Sequence, residues 1–541
     1  WLKAQLERHA WRSRVWAASR LIMCARRQLE ALHCAVGMMR TAVFACCLCW
    51  ARAAPRESAP RPNIVWIMAD DMGWGEVGLF PSTSPHGRIA TPHLDQFGRE
   101  GVMFTRAYAG YTVCAPSRTT FFTGRHSGQF PKHGLSGMAI RKGQPGVALL
   151  PELLKSAGYA TGAFGKSAPL MDPQGQGFDA FVGQVDQNLC HNMYPRSVDA
   201  GPMPSGRLQL NLTGNWRRKG RELCMASPGT YNYTVDVFHD SAVSWLDTVA
   251  GGPRPFFLYL GFTVPHAGGW GDAPNTPEQG NPVPSDAQYA SKPWPNVEKD
   301  HAAVITYLDS KVGELLLRLR SLGVDNETIV FFASDNGAHV EGGHRKEFFD
   351  STGGLRGQKR SYFEGGVRSP SMARWPGTIP AGRRSSFAWA FWDALPTFAE
   401  LAGAEAPPGL DGISIVPTLL GKEQQPHEYL YFTWDPEWWP ANNARGPLGL
   451  PGYAVTQGDW KGVVHSCADS ETLAPSADDA MELYNLEADP HETNNTAPQH
   501  PDIVERLKAL VMSKGLRCCC FQCARAGKCP QASSKERALL V

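Results

Sequence analysis

The sequence predicts an α/β fold with a small second sheet at its C-terminal end. Three observations predict it. Residues 63–69, 256–262 and 329–333 are apolar almost throughout. Residues 300–322, between the second and third runs, carry apolar side chains at helical spacing. After Leu420-Gly421 the text changes to short strand-like runs followed by one amphipathic stretch.

Each element has its own reason. Asn63-Ile64-Val65-Trp66-Ile67-Met68-Ala69 does not alternate, as expected of a strand buried on both faces. Phe256-Phe257-Leu258-Tyr259-Leu260-Gly261-Phe262 and Ile329-Val330-Phe331-Phe332-Ala333 repeat the pattern. The helix over 300–322 presents Val304, Tyr307, Leu308, Val312, Leu315, Leu316 and Leu319, with Gly323 as its cap. Loop-rich insertions are expected at about 168–230 and 264–298. Strands at 429–433, 460–464 and 481–486 form the small sheet, and a helix over 502–514 closes it with Ile503, Val504, Leu507, Leu510 and Val511. No internal repeat is evident.

The charge is unevenly spread. The 541-residue chain has a formal net charge of +2, yet residues 54–513 carry 38 basic and 48 acidic residues. An acidic body argues against a nucleic-acid partner. The basic excess lies in residues 1–53 and 514–541. Met38-Met39-Arg40, the apolar run 41–50 and Ala51-Arg52-Ala53 follow the order of a signal peptide, and the run is too short to span a membrane. An organelle transit peptide is the alternative for the Arg-rich segment before it. Sequons start at Asn211, Asn232, Asn326 and Asn494, which favours the secretory route. Of 14 cysteines, five lie in the leader and five in the tail, at Cys518, Cys519, Cys520, Cys523 and Cys529. The tail has no His and irregular spacing, so a disulfide knot or lipid-modified tail is expected over a zinc site. Cys190 and Cys224 are candidates for pairing.

Chemistry-bearing residues gather where the strands end. Asp70-Asp71 follows the first run, His266 the second, and Asp335-Asn336-Gly337 the third. In open α/β sheets ligands collect beyond the carboxyl ends of strands. Carboxylates converging there need a cation, and all-oxygen donors select a hard ion such as Ca²⁺ or Mg²⁺. Taken alone, Asp70-Asp71 or Asp335-Asn336-Gly337 reads more often as turn residues that start a loop; two such sets, both ending apolar strands, favour the metal reading. Between these segments lies Val113-Cys114-Ala115-Pro116-Ser117-Arg118-Thr119-Thr120-Phe121-Phe122-Thr123-Gly124-Arg125, a turn opening a helix with a thiol at its start.

That last run resembles the signature of the arylsulfatase-type sulfatases, members of the alkaline phosphatase superfamily. The resemblance spans roughly 61–512. It includes Arg61-Pro62-Asn63-Ile64-Val65 with Asp70-Asp71-Met72-Gly73, Ser334-Asp335-Asn336-Gly337, the basic segment 355–370 and Glu482-Leu483-Tyr484-Asn485-Leu486. It implies a large mixed β-sheet sandwiched by helices and a small antiparallel C-terminal domain. It implies one Ca²⁺ ion held by Asp70, Asp71, Asp335 and Asn336 beside Cys114. It also implies that a formylglycine-generating enzyme converts Cys114 to formylglycine, whose hydrate attacks sulfur. By the same resemblance Lys166 and Lys359 bind sulfate oxygens, Arg118 braces the formylglycine, and His266 protonates the leaving alcohol.

The chain departs from the family where Gly165-Lys166-Ser167-Ala168 replaces the frequent Gly-Lys-Trp-His, and Phe122 replaces a more usual Leu or Met. The surrounding text resembles polysaccharide-directed relatives, so His191 and His344 are expected in a sugar pocket. Trp434, Trp438 and Trp439 are candidates for stacking on sugar faces, and packing is the equal alternative. The expected organisation is a leader at 1–53, a catalytic domain at 54–425, a small domain at 426–515 and a Cys-rich tail at 516–541. The expected activity is hydrolysis of a sulfate ester, on a carbohydrate, in the secretory pathway or a lysosome-like compartment. Two alternatives are a phosphate or phosphonate ester hydrolase of the same superfamily and an inactive sulfated-glycan binder.

Overall fold

A computed structural model describes residues 61–128, 140, 147–187, 189–201, 208–212, 232–268, 280–434, 452–465 and 478–516. The leader, the cysteine tail beyond 516, Cys224, Trp438 and Trp439 lie outside the described residues, as does the side chain of Trp434.

The strands, in chain order, are β1 (Asn63–Asp70), β2 (Val102–Phe104), β3 (Ala107–Tyr108), β4 (Ala160–Lys166), β5 (Ala180–Gln184), β6 (Ser197–Ala200), β7 (Leu208–Asn211) and β8 (Phe256–Pro265). They continue with β9 (Thr328–Ser334), β10 (Ser371–Arg374), β11 (Arg383–Ser385) and β12 (Trp389–Ala390). The small sheet uses β13 (Leu430–Trp434), β14 (Gly452–Gln457), β15 (Trp460–Val464) and β16 (Met481–Asn485). Ten strands form the main sheet in the order β11-β2-β10-β9-β1-β8-β4-β5-β6-β7. Its centre, β9-β1-β8-β4-β5, is parallel, whereas β10 and β6–β7 pair antiparallel.

The three apolar runs are β1, β8 and β9, side by side in the middle of the sheet. Their continuous hydrophobicity follows from burial on both faces. In β1, Ile64, Trp66 and Met68 join one core while Val65, Ile67 and Ala69 join the other. The first core also takes Phe121, Phe122, Leu395 and Phe398 from helices Cys114–Thr123 and Ala394–Leu401. The second takes Phe238 and Leu246 from helix Thr234–Val249, and Val304, Leu308, Val312 and Leu315 from helix Asn296–Ser321. The sheet is therefore sandwiched by helices.

Apart from β1, β8 and β9, the strands of the main sheet escaped the sequence reading. Ala160-Thr161-Gly162-Ala163-Phe164-Gly165-Lys166 has weak strand propensity. Its glycines answer to crowding: Gly165 has φ 100°, and a Cβ there would stand 2.0 Å from the Gly261 carbonyl oxygen. The expected insertion at 168–230 contributes β5, β6 and β7, which extend the sheet rather than only looping over it.

The small sheet, β13-β14-β15-β16, is antiparallel throughout. Helix Pro501–Ser513 closes one face with Ile503, Leu507 and Val511 against Tyr453, Val455 and Leu483. The other face sends Leu430, Phe432, Ala454 and Val463 into the first core of the main sheet. A buried ion cluster locks the junction: Lys461 of β15 lies 2.8 Å from Glu364 and 2.9 Å from Glu492, and Arg368 pairs with Glu364 at 2.7 Å.

Candidate active site

The carboxyl ends of β1, β4, β8 and β9 deliver Asp70, Lys166, His266 and Asp335 to one place. Beyond β1 the chain turns sharply. Asp71 takes φ 70°, in the left-handed region that Asp tolerates better than most residues. The turn is held from β9: Asp71 N–H donates to Asp335 Oδ1 at 3.0 Å, and Asn336 Nδ2 donates to Asp71 Oδ1 at 2.7 Å.

Helix Cys114–Thr123 is buried on every side, and its first residue, Cys114, is only 6% exposed. One turn on, Arg118 spans the centre. Its Nε donates to Asp335 Oδ2 at 2.8 Å, and its Nη1 to the Tyr259 hydroxyl at 2.8 Å and the Lys166 carbonyl at 3.2 Å.

Two Lys–Asp–His sets complete the centre. Lys166 Nζ donates to Asp70 Oδ2 at 2.7 Å and lies 3.0 Å from His191 Nε2. Lys359 Nζ donates to Asp71 Oδ2 at 2.6 Å and lies 2.9 Å from His266 Nε2. The imidazoles of the two sets stack with centroids 3.6 Å apart. His266 Nδ1 donates to the Ala267 carbonyl at 2.7 Å, which leaves Nε2 facing the centre.

The electrostatics follow from packing charges out of water. Burial alone would raise Asp70, but Lys166, a hydrogen bond from His191, Arg118 and His266 together outweigh it and hold the carboxyl well below its usual range. Burial pushes Asp335 up to about 7, with repulsion from Asp70 adding to it. Burial, then His266 and Lys166, keeps His191 well below the usual imidazole range. Burial raises the Cys114 thiol, so the unmodified sulfur stays protonated and weakly nucleophilic.

The donor set fits a hard cation. Asp70, Asp71 and Asp335 each bring a carboxylate oxygen within 4.8 Å of the others. Asp70 Oδ1 and Asn336 Oδ1 are buried acceptors with no hydrogen-bond partner among the described residues. A buried acceptor left so is costly, and an oxygen-seeking ion satisfies both at once.

Of the expected site residues, Asp70, Asp71, Cys114, Arg118, Lys166, His191, His266, Asp335, Asn336 and Lys359 come together. His344 does not join them. It is 2% exposed, its Nδ1 lies 2.7 Å from Glu298 and its Nε2 3.2 Å from Ser351, so it faces no open pocket. His191 sits against Lys166 and His266 rather than at a pocket wall. Three further residues join the centre unannounced. Glu341 accepts from Lys359 at 2.9 Å and lies 3.3 Å from His266. Gln187 Nε2 donates to Cys114 Sγ at 3.0 Å, and Tyr259 anchors Arg118. Glu341 lay in view in Glu341-Gly342-Gly343-His344, where His344 drew the reading instead.

A family model described as Sulfatase matches residues 62–404, and one described as N-sulphoglucosamine sulphohydrolase, C-terminal, matches 356–515. Human arylsulfatase A is 31% identical over 501 residues, covering 86% of this chain and 90% of its own. N-acetylgalactosamine-6-O-sulfatase of Bacteroides thetaiotaomicron is 28% identical over 521 residues, covering 84% and 94%. The solved structure of Ps i-CgsB in complex with k-i-k-neocarrahexaose has the same fold, with a TM-score of 0.65 at 24% identity, covering 86% of this chain and 96% of its own.

Proposed function

Because the chain belongs to the sulfatase family, enzymes that hydrolyse sulfate esters, we propose that it removes sulfate from a carbohydrate with a formylglycine at position 114 and one calcium ion. The observation that carries this reading is the pair of Lys–Asp–His sets joined through stacked imidazoles beside Cys114. A carbohydrate substrate is supported by the relative named N-acetylgalactosamine-6-O-sulfatase.

Asp70, Asp71, Asp335 and Asn336 would hold the calcium, which would offset their charge and polarise a sulfate oxygen. Formylglycine would supply the attacking hydroxyl. Lys166 and Lys359 bind the remaining sulfate oxygens, where two ammonium groups in a dry site oppose the charge that develops. Arg118 holds Asp335 and the Lys166 carbonyl, and so fixes the spacing of both sets. His266 Nε2, which lies 2.9 Å from Lys359, 3.4 Å from Asp71 and 3.3 Å from Glu341, delivers a proton to the leaving alcohol. His191 takes the part that the family gives to the histidine missing at Ala168. Its ligating atom lies within 4.8 Å of the Cys114 sulfur, and its Nδ1 has no hydrogen-bond partner among the described residues. In the neutral ring the Lys166 ammonium donates to Nε2, so Nε2 takes a proton from a hydroxyl at 114 by exchanging that hydrogen bond.

Catalysis belongs to residues 54–425, and the small domain at 426–515 braces it through Lys461. Passage through the secretory pathway, where the formylglycine-generating enzyme would act, is supported by exposed sequon asparagines at 232, 326 and 494. Among the described residues no helix is long and apolar enough to cross a membrane.

The test is turnover of a panel of defined sulfated saccharides, with aryl sulfate, aryl phosphate and phosphonate monoesters alongside. Sulfate release from at least one saccharide, with phosphate esters slower, is expected. Faster turnover of phosphate or phosphonate esters would assign the alternative chemistry, and no turnover at all would leave a glycan binder.

A further inference from the structure

A second group of ligand-type side chains lies apart from the catalytic centre. Glu76 comes from the single turn Trp74–Glu76 after β1, His301 from helix Asn296–Ser321, and His344 from the loop after Glu341–Gly343. Their exposures are 3%, 0% and 2%. One ligand atom of each lies within 4.8 Å of the others.

The hydrogen bonds around the cluster decide where each lone pair points. Asn281 Nδ2 donates to the Pro265 and His266 carbonyls, so its Oδ1 is the atom that faces His301 Nδ1 at 3.1 Å. His301 Nδ1 must therefore be the donor, and the lone pair of the neutral ring sits on Nε2. Glu298 makes the same choice for His344. Its Oε1 accepts the Arg345 N–H and its Oε2 lies 2.7 Å from His344 Nδ1, which puts that ring's lone pair on Nε2 as well. The two rings stack 3.6 Å apart at 13°. Glu76 Oε2 is taken by the Gly73 N–H, leaving Oε1 at 2.7 Å from His301 Nε2 and 3.8 Å from His344 Nε2.

Two imidazole lone pairs and a carboxylate oxygen thus converge in a dry interior with no donor supplied by the rings themselves. The Ser351 hydroxyl can serve the His344 lone pair, whereas the contact between His301 Nε2 and Glu76 Oε1 needs either a second proton on His301 or a cation among the three groups. The outer partners match the pattern of metal-bound histidines, in which the second ring nitrogen donates to a carboxylate or carbonyl oxygen. We propose that Glu76 Oε1, His301 Nε2 and His344 Nε2 bind a second, structural cation of the zinc class, with the Ser351 hydroxyl, 3.2 Å from His344 Nε2, at hand for the fourth position. Two imidazoles and one carboxylate suit Zn²⁺, whereas the all-oxygen catalytic set suits calcium. The ion ties the turn that follows Asp71 to the long helix and to the loop that carries Glu341.

The test is metal analysis of the secreted full-length protein, expressed with zinc in the medium and dialysed against zinc-free buffer. About one zinc per chain is expected in the wild type. Glu76→Gln and His344→Ala should each lose it while retaining calcium. Cys114→Ala, which alters only the catalytic centre, should keep it. Cobalt(II) exchanged into the wild type should give the strong visible absorption of a four-coordinate site. That spectrum decides the matter if the variants are not secreted. Zinc absent from the wild type, zinc undiminished in both variants, or cobalt without that absorption would overturn the proposal and leave a shared proton between His301 and Glu76.

Discussion

The imidazole of His191 lies flat on that of His266, with planes 3° from parallel. One ring comes from the 3₁₀ turn Leu189–His191 in the insertion and the other from the end of β8. The contact places both rings at the same reacting centre and lets their roles be separated by kinetics.

On the proposed mechanism His266 assists departure of the alcohol, so His266→Ala should slow sulfates with poor leaving groups by about 10²- to 10⁴-fold while activated aryl sulfates lose far less. On the same mechanism His191 acts on residue 114 after the alcohol has left. His191→Asn should therefore slow activated aryl sulfates more than sulfates with poor leaving groups. A Brønsted plot over a series of aryl and alkyl sulfates checks this: the slope should steepen for His266→Ala and flatten for His191→Asn. A steepened slope for His191→Asn would remove it from the second step.

Asp335 gives a pH signature to protein stripped of metal. Its carboxyl is raised from 3.8 to about 7 by burial, and its neighbours are Asp70, Asp71, Arg118 and Lys166. A raised carboxyl binds its proton more tightly when folded, so the stability it contributes is present below pH 3.8 and is lost as pH rises to about 7. Asp70, held low, works in the window below 3.8 and does not cancel the effect. Calcium-free wild type should melt at falling temperature from pH 4 to about 7, and Asp335→Asn should flatten that dependence. The same variant should weaken calcium binding by more than about 100-fold. Calorimetry with and without calcium measures both.

The Cys114 thiol is buried and held protonated, so any unconverted fraction should resist alkylation by iodoacetamide in the native state and react once unfolded. Peptide mass spectrometry of secreted protein should find the aldehyde or its hydrate at position 114. Active protein carrying only the thiol would refute the formylglycine assignment.

Lys461 lies between Glu364 and Glu492 with no exposure. Removing it leaves Glu492 without a counter-charge and Glu364 with Arg368 alone. Lys461→Met should cost about 3–5 kcal/mol in urea unfolding. Lys461→Met with Glu364→Gln and Glu492→Gln should recover much of the loss.

Legibility in the sequence followed burial. β1, β8 and β9 were readable because strands covered on both faces lose alternation, and the ligands at their ends were readable because they abut those runs. β4 was hidden because close packing against Gly261 and Trp245 demanded glycines, which erase strand character. His191 could be found as a residue but not placed, because its position depends on a turn folding back over β4. His344 was misplaced for the converse reason: Glu298 and Ser351, which capture it, lie in segments that carry no local signal pointing toward it.

All ten residues of helix Cys114–Thr123 are buried, and that sets a clock. An enzyme that must grasp this segment cannot do so once the segment is enclosed. The enclosure waits for β9 and for the Asp335 carboxylate that clasps Arg118. The stretch between Cys114 and Asp335 takes roughly 10–45 s to synthesise at ordinary rates. On the formylglycine proposal, conversion of residue 114 therefore competes with the arrival of distant sequence. Substitutions that hasten closure of the sheet should lower the converted fraction even as they raise stability, so yield of folded protein and yield of active sites need not rise together.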